Sequence, residues 1–277
     1  MLGKYNLKLV VILLVVLISY CALKPEVYEK KKLLSVSKYA IYYGKNKIDK
    51  LSRYDLVILD PDNYSKDEIL KLKNSTIIIA YLSIYEINPS RKYFSKVKEC
   101  IIGFNEMWRT YYIDVSCGKW RETIMEEIIL EIINKGFDGI FLDTIDDVEI
   151  YGKKNEVISL IKNIRERYPK LIIIQNRGFS IVDETAPYID GILFESFTSR
   201  YNWSTSKYEI WGENDLRWTE NIAKQLIYLK NKRNLLILTL DYVDMKNESM
   251  KNFCIARAKK FGFIPFLSNL NLTALDS

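Results

Sequence analysis

The sequence contains no histidine among its 277 residues. Histidine is the base of Ser-His-Asp and Cys-His nucleophile systems and a common zinc ligand, so its absence excludes those catalytic arrangements and every His-ligated zinc site. Any catalysis must therefore depend on carboxylates, lysine, tyrosine, cysteine or a bound cofactor. Cysteine is also scarce, with four residues and no Cys-x-x-Cys spacing, which argues against a cysteine-based zinc or redox site.

The positive charge of the chain is concentrated near its N-terminus. The formal net charge is +6, and residues 1–36 contribute +4 through six lysines and two glutamates, which leaves +2 for the rest. The rest of the chain, residues 37–277, is nearly neutral and lacks the basic surface expected of a nucleic-acid-binding protein. We therefore expect no nucleic-acid partner. We also predict that the protein is a monomer.

An apolar stretch from Leu9 to Leu23 follows Lys4 and Lys8, a layout typical of an export signal or a short membrane anchor. At about 1.5 Å per residue the stretch reaches roughly 23 Å, less than the roughly 30 Å hydrocarbon core of a bilayer, so a cleaved signal is favoured. The sequence lacks a small-residue cleavage motif, which keeps an uncleaved anchor as an alternative.

These features predict three regions along the chain. Residues 1–24 form a signal peptide or membrane anchor, residues 25–36 a basic linker, and residues 37–277 a single globular domain. The protein is then exported, either secreted or anchored to the outer face of the cell membrane, and it contacts the membrane only through the N-terminal segment.

Eight short apolar runs alternate with helical patterns from residue 37 onward. The runs span residues 39–43, 56–59, 77–81, 139–142, 171–174, 191–194, 235–240 and 263–266. Helical periodicity marks residues 65–73, 121–134, 155–168 and 216–232. Runs that are apolar throughout are typical of parallel strands covered on both faces.

The alternation predicts an α/β fold, a (β/α)₈ TIM barrel. An open doubly wound sheet is the alternative, but the Gly-x-Gly phosphate turn that favours it is missing. A ninth run, Tyr111–Val115, is interpreted as an extra strand in the third connection.

Acidic and amide residues follow the predicted strands, at the end of a barrel where active sites are built. They are Asp60, Glu86, Asp143, Asp146, Asp147, Gln175, Asn176, Glu195 and Asp241. Asp143 follows Gly-Ile-Phe-Leu and Glu195 follows Gly-Ile-Leu-Phe, so the two occupy matching positions on their strands. Two such carboxylates suit glycoside hydrolysis, in which one protonates the leaving oxygen and the other attacks or stabilises the anomeric carbon.

Other interpretations of these residues stay open. Asp143, Asp146 and Asp147 could form an oxygen cage for Mg²⁺ or Ca²⁺, although we predict no metal and no cofactor. Lys45, two residues past the first run, is a weak candidate for Schiff-base chemistry. A saccharide-binding barrel without catalytic activity would carry the same residues.

A long connection over residues 197–215 is rich in aromatic residues, namely Tyr201, Trp203, Tyr208 and Trp211. Aromatic faces can stack on sugar rings, so Trp203 is a candidate substrate contact, and packing within the loop is the alternative.

Cys100 and Cys117 flank the extra strand. A disulfide between them would stabilise this connection in an oxidising compartment, and two free thiols are the alternative.

Five short motifs carry a resemblance to a known family. They are Tyr54-Asp-Leu-Val-Ile-Leu-Asp60, Ile79-Ala-Tyr-Leu-Ser-Ile-Tyr-Glu86, Gly136-Phe-Asp-Gly-Ile-Phe-Leu-Asp143, Gln175-Asn176 and Asp190-Gly-Ile-Leu-Phe-Glu195. Over residues 37–270 the chain resembles glycoside hydrolase family 114, the endo-α-1,4-polygalactosaminidases. The resemblance implies a barrel that hydrolyses galactosamine-containing polysaccharide, with a polysaccharide as its partner.

Carried over to this sequence, the resemblance implies that Asp143 is the nucleophile and Glu195 the acid/base. It also places Asp60, Tyr81 and Glu86 along the substrate subsites. One departure is Tyr85, which stands where the family has a small residue, and its bulk would reshape a subsite.

The residues add two expectations of their own. A deacetylated amino sugar is cationic, and a mouth rich in carboxylates would attract it. The spacing of the fourth and sixth strands predicts carboxyl groups about 5 to 5.5 Å apart, which corresponds to a retaining mechanism.

Overall fold

The computed structural model describes residues 33–275, of which residues 37–275 belong to one compact unit. The predicted signal or anchor segment, residues 1–24, lies outside the described residues, as does the predicted linker up to residue 32. Within residues 33–275, no helix combines the length and hydrophobicity needed to cross a membrane.

Thirteen strands are found among the described residues. In chain order they are β1 (Tyr39–Tyr42), β2 (Leu56–Leu59), β3 (Ile77–Ser83), β4 (Glu86–Ile87), β5 (Ile101–Asn105), β6 (Thr110–Ile113), β7 (Gly139–Asp143), β8 (Ile172–Asn176), β9 (Gly191–Glu195), β10 (Ser199–Asn202), β11 (Lys207–Ile210), β12 (Leu236–Tyr242) and β13 (Ile264–Ser268).

Nine α-helices lie between these strands in the same part of the chain. They are α1 (Ile48–Leu51), α2 (Lys66–Leu72), α3 (Gly118–Thr123), α4 (Ile129–Lys135), α5 (Val148–Tyr151), α6 (Lys154–Arg167), α7 (Val182–Thr185), α8 (Glu213–Arg233) and α9 (Glu248–Lys260). A π-helical turn, Ile124–Ile128, joins α3 to α4. Ser65 and Glu68 form a capping box that begins α2, as their spacing indicates.

Eight parallel strands form a nearly closed barrel in the order β1-β2-β3-β7-β8-β9-β12-β13. The order follows the chain, as expected when each strand is joined to the next by a right-handed crossover. At the remaining gap, the ring of Tyr39 in β1 contacts Phe266 in β13 with 5.6 Å between ring centroids. The structure thus has the architecture of a TIM barrel.

The eight predicted runs all form barrel strands, with ends within two residues of the predicted bounds. The extra run forms β6, the central strand of an antiparallel sheet with β4 and β5. The sequence did not predict strands β4 and β5, the β10–β11 hairpin or the short helices α1, α5 and α7. The hairpin strands are polar and half-exposed, so they lack the apolar signal that marks the barrel strands.

Side chains alternate between the inside and the outside of the barrel along each strand. Tyr81, Phe141 and Leu240 face inward, where they form the floor of a cavity at the carboxyl ends of the strands. The strands are buried on both faces, because the helices cover the outward-facing residues.

A disulfide joins Cys100 to Cys117, with 5.7 Å between their Cα atoms. It links the residue before β5 to the residue before α3, and so closes the connection that contains β5 and β6.

Gly139 begins β7 at a point where the backbone of β8 is very close. A Cβ atom at this position would lie 2.3 Å from the carbonyl oxygen of Ile172 and 2.6 Å from its Cβ. We expect Gly139→Ala to lower the free energy of unfolding by roughly 1–3 kcal/mol, because the added methyl group forces two paired strands apart. Chemical denaturation measures this change.

Gly118→Ala is the matched control, since nothing lies within 4 Å of a Cβ atom at that helix start. Equal unfolding free energies for the two variants would contradict the predicted overpacking.

Candidate active site

A cavity of about 530 Å³ opens at the carboxyl ends of the barrel strands. Its walls come from all eight barrel strands or the loops that follow them, and from the β4–β6–β5 sheet. The volume lies in the range of small-molecule sites, and the position is the one expected for the active site of a TIM barrel.

Asp143, Asn176 and Glu195 end three neighbouring strands, β7, β8 and β9, and all three line this cavity. The amide nitrogen Nδ2 of Asn176 donates to Oδ1 of Asp143 at 2.8 Å and to Oε2 of Glu195 at 2.7 Å. Two oxygens that share one nitrogen in this way are at most about 5.5 Å apart. The two carboxyl groups therefore lie close together, and the side chain of Asn176 fixes their relative position.

Tyrosine hydroxyls supply further hydrogen bonds to the pair. Tyr242 donates to Oε1 of Glu195 at 2.6 Å, and Tyr81 is hydrogen-bonded to Asp143. The backbone N–H of Thr144 also donates to Asp143. Asp143 thus accepts from three donors and Glu195 from two.

Burial and the neighbouring Glu195 carboxylate raise the pKa of Asp143 well above that of an ordinary aspartate. Two carboxyl groups this close cannot both ionise easily, so the pair retains one proton near neutral pH. A pair of acids that shares a proton can provide one proton donor and one nucleophile at the same time.

Each of these three strands is followed directly by a residue with left-handed backbone. Thr144 follows Asp143 with φ 61°, Arg177 follows Asn176 with φ 49°, and Ser196 follows Glu195 with φ 55°. Such values are costly for residues other than glycine and are concentrated at functional sites.

Asp60 lies on the cavity wall and is neutralised by Arg91. The guanidinium group donates to both carboxylate oxygens of Asp60, at 2.7 and 3.0 Å, and also to Asp62 at 2.6 Å. A bidentate pair of this kind fixes both groups. Asp60 therefore lines the cavity as predicted, but as half of an ion pair.

Glu86, Asp146 and Asp147 form a further part of the cavity wall, and the charges of Glu86 and Asp146 act on Asp147. Glu86 accepts from Nδ2 of Asn105 at 2.9 Å and from Oγ1 of Thr110 at 2.5 Å. Burial, with the charges of Glu86 and Asp146, raises the pKa of Asp147 to about 7. This wall is therefore rich in negative charge.

Gln175 and Asp241 do not line the cavity, contrary to their prediction as substrate contacts. Gln175 pairs in register with Leu142, and Asp241 is one residue beyond Leu240, the partner of Glu195. Because strand side chains alternate, both point outward, toward the helices rather than the mouth. Gln175 instead donates to the carbonyl oxygen of Arg177 at 2.8 Å.

Asp241 anchors the connection that leads to the β10–β11 hairpin. Its Oδ1 accepts from the backbone N–H groups of Thr198 at 2.5 Å and Ser199 at 2.7 Å. Arg257 in α9 donates to the carbonyl oxygen of Phe197 in the same connection at 2.7 Å, and to that of Leu216 in α8 at 3.0 Å. Asp241 is therefore a structural residue that fixes the base of the hairpin.

Trp203 lies at the rim of the cavity and does not line it. Its ring contacts Trp108, which does line the cavity, with 5.5 Å between ring centroids and nearly perpendicular planes. About half of each side chain is exposed. The β10–β11 hairpin and the β5–β6 hairpin thus meet through two exposed indoles beside the opening.

Tyr85 does not enter the cavity, contrary to the subsite change that its bulk suggested. The side chain is buried, and its hydroxyl donates to the carbonyl oxygen of Gly152 at 2.6 Å. Tyr85 therefore packs behind the wall that Glu86 forms.

Three residues that sequence reasoning did not single out complete the site. They are Tyr43, Arg91 and Tyr242. Tyr43 packs edge-on against Tyr81 with 5.1 Å between ring centroids. The two-residue alternation from Leu240 would have indicated Tyr242, whereas the sequence carries no signal for Arg91, which reaches the cavity from an irregular loop.

In the part of the chain that the structure describes, no three acidic or cysteine side chains are arranged to hold a metal ion. Asp143, Asp146 and Asp147 all line the cavity but do not form a cage.

The chain matches the model of glycoside-hydrolase family GH114 over residues 25–277. The protein belongs to this family. Membership in GH114 identifies it as a glycosidase, and the cavity with its paired carboxylates is the candidate active site of that activity.

Other proteins are similar to this chain in sequence or in fold. An uncharacterized protein of Thermotoga maritima is 26% identical over 237 residues, which cover 76% of this chain and 70% of the relative. The glycoside hydrolase domain of PelA from Pseudomonas aeruginosa has the same fold, with a TM-score of 0.78 and 21% identity over 87% of this chain and 98% of that domain. Ega3 from Aspergillus fumigatus, solved in complex with galactosamine, has a TM-score of 0.67 and 15% identity over 85% of this chain and 92% of its own.

Proposed function

We propose that this GH114 protein cleaves internal glycosidic bonds of galactosamine-containing polysaccharide. The cleavage retains the configuration at the anomeric carbon. The observation that carries the proposal is the shared hydrogen bond of Asn176, which holds Asp143 and Glu195 with oxygens at most about 5.5 Å apart. Retaining glycosidases have carboxyl groups about 5–5.5 Å apart, whereas inverting enzymes leave about 6.5–9.5 Å for a water molecule.

In the first step Asp143 attacks the anomeric carbon while Glu195 donates its proton to the glycosidic oxygen. The bond from carbon to that oxygen breaks, the leaving chain departs as an alcohol, and the sugar stays attached to Asp143 as an ester. The hydrogen bonds from Asn176 and Thr144 stabilise the carboxylate form of Asp143, which is the form that attacks, and so oppose the rise in its pKa that burial and Glu195 cause.

In the second step Glu195, now a carboxylate, removes a proton from water. The resulting hydroxyl attacks the anomeric carbon, and Asp143 leaves as a carboxylate. Tyr242 and Asn176 hold Glu195 in place through both steps, since each donates to one of its oxygens. No step requires histidine, a metal or a cofactor.

The charge of the cavity supports galactosamine as the sugar. An unacetylated amino sugar is a cation near neutral pH, and the wall of Glu86, Asp146 and Asp147 attracts cations. Ega3, one of the proteins with a similar fold, was solved in complex with galactosamine.

We propose further that the protein acts outside the cytoplasm. The disulfide between Cys100 and Cys117 is the kind of bond that persists in oxidising compartments. The apolar N-terminal stretch is consistent with export.

The stereochemical test is to follow cleavage of an α-1,4-linked galactosamine oligosaccharide by NMR. We expect the first-formed reducing end to be the α anomer, because two displacements at the same carbon restore the original configuration. Initial release of the β anomer would contradict Asp143 as nucleophile. If no reducing end is released from any glycan, while binding persists, the protein is a saccharide-binding barrel instead.

A further inference from the structure

The amino ends of the barrel strands form a face at the end of the barrel opposite the cavity. Backbone hydrogen bonds join neighbouring strands there, for example from the N–H of Asp55 to the carbonyl oxygen of Lys38 at 2.9 Å, and from that of Asp190 to Ile173 at 2.8 Å. The helix ends and connections that lead into the strands therefore lie together. We call this surface the amino-end face, and it comprises residues 37–38, 50–55, 71–76, 134–138, 166–171, 184–190, 232–235 and 259–263.

Basic residues dominate the amino-end face. It contains twelve basic and five acidic residues, a net charge of +7, whereas residues 37–277 as a whole carry only +2. The rest of that region therefore has a net charge of −5. Six carboxylates and one cationic side chain, that of Arg91, line the cavity at the opposite end. The two ends of the barrel are thus opposite in charge.

Most of the basic side chains of this face are available to a partner. Seven of the twelve are exposed and form no ion pair within residues 33–275. They are Lys38, Arg53, Lys170, Lys232, Arg233, Lys259 and Lys260.

The acidic residues of the face mostly serve the barrel itself. Asp55, Asp138 and Asp190 each accept from a backbone N–H at or near the start of a neighbouring strand, at 2.8–3.0 Å. Glu166 and Glu184 are exposed in the last turns of two helices. The free charge of the face is therefore mainly that of the basic residues.

Helix dipoles explain only part of this arrangement. Basic residues in the last turn of a helix offset the partial negative charge there, which accounts for Lys232 and Lys259. Lys38, Arg53 and Lys170 lie in connections outside the helices, so the same reason does not apply to them. Their position on one face indicates a role beyond helix stability.

The chain enters the barrel at the amino-end face, because Lys38 directly precedes β1. Fifteen residues separate β1 from Leu23, the end of the apolar stretch that is predicted to be a signal or membrane anchor, and four of the fifteen are lysines before Lys38. Fifteen residues span at most about 50 Å. An anchor that is retained would therefore tether the barrel by this face.

We propose that the amino-end face binds the surface of a membrane that contains anionic phospholipid, with the cavity directed away from the lipid. Lysine and arginine side chains are attracted to such a surface, and the attraction acts over about a Debye length. The acidic end of the barrel is repelled by the same surface, so the charge difference between the two ends fixes the orientation. The face adds a second membrane contact to the one expected of the N-terminal segment.

The test is lysine labelling of the full chain in the presence of vesicles, with an amine-reactive reagent and mass spectrometry. Vesicles of phosphatidylcholine alone are compared with vesicles that also contain phosphatidylglycerol. We expect Lys170, Lys232, Lys259 and Lys260 to be labelled at least about 3-fold more slowly with the anionic vesicles at low salt. High salt should remove the difference, because it screens the attraction.

Three exposed lysines at the cavity end are internal controls, namely Lys154, Lys207 and Lys246. Each lies beyond the carboxyl end of a barrel strand. Their labelling should be the same with both kinds of vesicle.

A variant that neutralises four charges of the face tests whether they act together. It combines Lys232→Gln, Arg233→Gln, Lys259→Gln and Lys260→Gln. The protection of Lys170 by anionic vesicles should be lost in this variant. The matched control neutralises four exposed lysines at the cavity end, Lys47→Gln, Lys154→Gln, Lys207→Gln and Lys246→Gln, and should keep that protection. Thermal unfolding shows that both variants are folded.

Equal labelling with the two kinds of vesicle, protection of the control lysines, or protection of Lys170 that survives the fourfold neutralisation would overturn the proposal. Protection by soluble polyphosphate but not by anionic vesicles would also overturn it, and would indicate an anionic polymer as the partner. The labelling pattern does not depend on catalytic activity, so the proposed function succeeds or fails separately.

Discussion

Asp143→Asn is expected to lower kcat for release of reducing ends from galactosamine polysaccharide by a factor on the order of 10⁴ or more. An amide is a poor nucleophile, and it cannot form the glycosyl ester on which retention depends. The unfolding temperature should stay the same or rise, since burial and Glu195 disfavour the charged form of Asp143 and asparagine has no charge. A reducing-sugar assay and a thermal melt measure the two quantities.

Asp183→Asn is the control for Asp143→Asn, because it makes the same chemical change on an exposed residue outside the cavity. It should leave kcat unchanged. Substantial activity in Asp143→Asn would refute the nucleophile assignment. A loss of activity that accompanies a large fall in unfolding temperature would instead indicate a structural role.

Glu195→Gln is expected to lower kcat on the polysaccharide by about 10²–10⁴-fold, the usual contribution of a general acid and base. A substrate with a good leaving group needs little protonation, so formation of the ester on Asp143 should be much less affected. Added azide needs no base, and should displace Asp143 from the anomeric carbon and restore turnover. The product is a glycosyl azide with the configuration of the substrate, which NMR identifies.

The azide experiment separates the roles of the two carboxylates. If azide restores Asp143→Asn instead and gives a glycosyl azide with the configuration of the substrate, then the nucleophile and the acid/base are exchanged. If it restores neither variant, Glu195 is not the acid/base of a retaining enzyme.

The barrel could be predicted from the sequence because its strands are short, apolar throughout and regularly separated by helices. Asp143 and Glu195 could be predicted because each directly follows such a strand. The same rule led to Gln175 and Asp241, which also lie at strand ends but face outward. Proximity to a strand end is thus insufficient, and the two-residue alternation of side chains decides which residue enters the mouth.

Other parts of the site depend on contacts that are distant in sequence. Arg91 meets Asp60 across 31 residues of chain, and Asn105 reaches Glu86 from a strand that the sequence did not indicate. Neither contact leaves a local pattern. The β10–β11 hairpin was missed for a related reason, since its strands pair with each other and bury little apolar surface.

The three left-handed residues that follow Asp143, Asn176 and Glu195 mark places where thermostability and activity compete. Glycine adopts such a backbone with little cost, so selection for stability alone would favour glycine there. Yet Thr144 uses its hydroxyl to accept from the backbone N–H of Tyr85 at 2.9 Å, and Arg177 pairs with Asp146. Glycine in place of Thr144 or Arg177 would remove these side-chain contacts between the loops around the cavity. Attempts to engineer a more heat-resistant enzyme should therefore start elsewhere in the barrel.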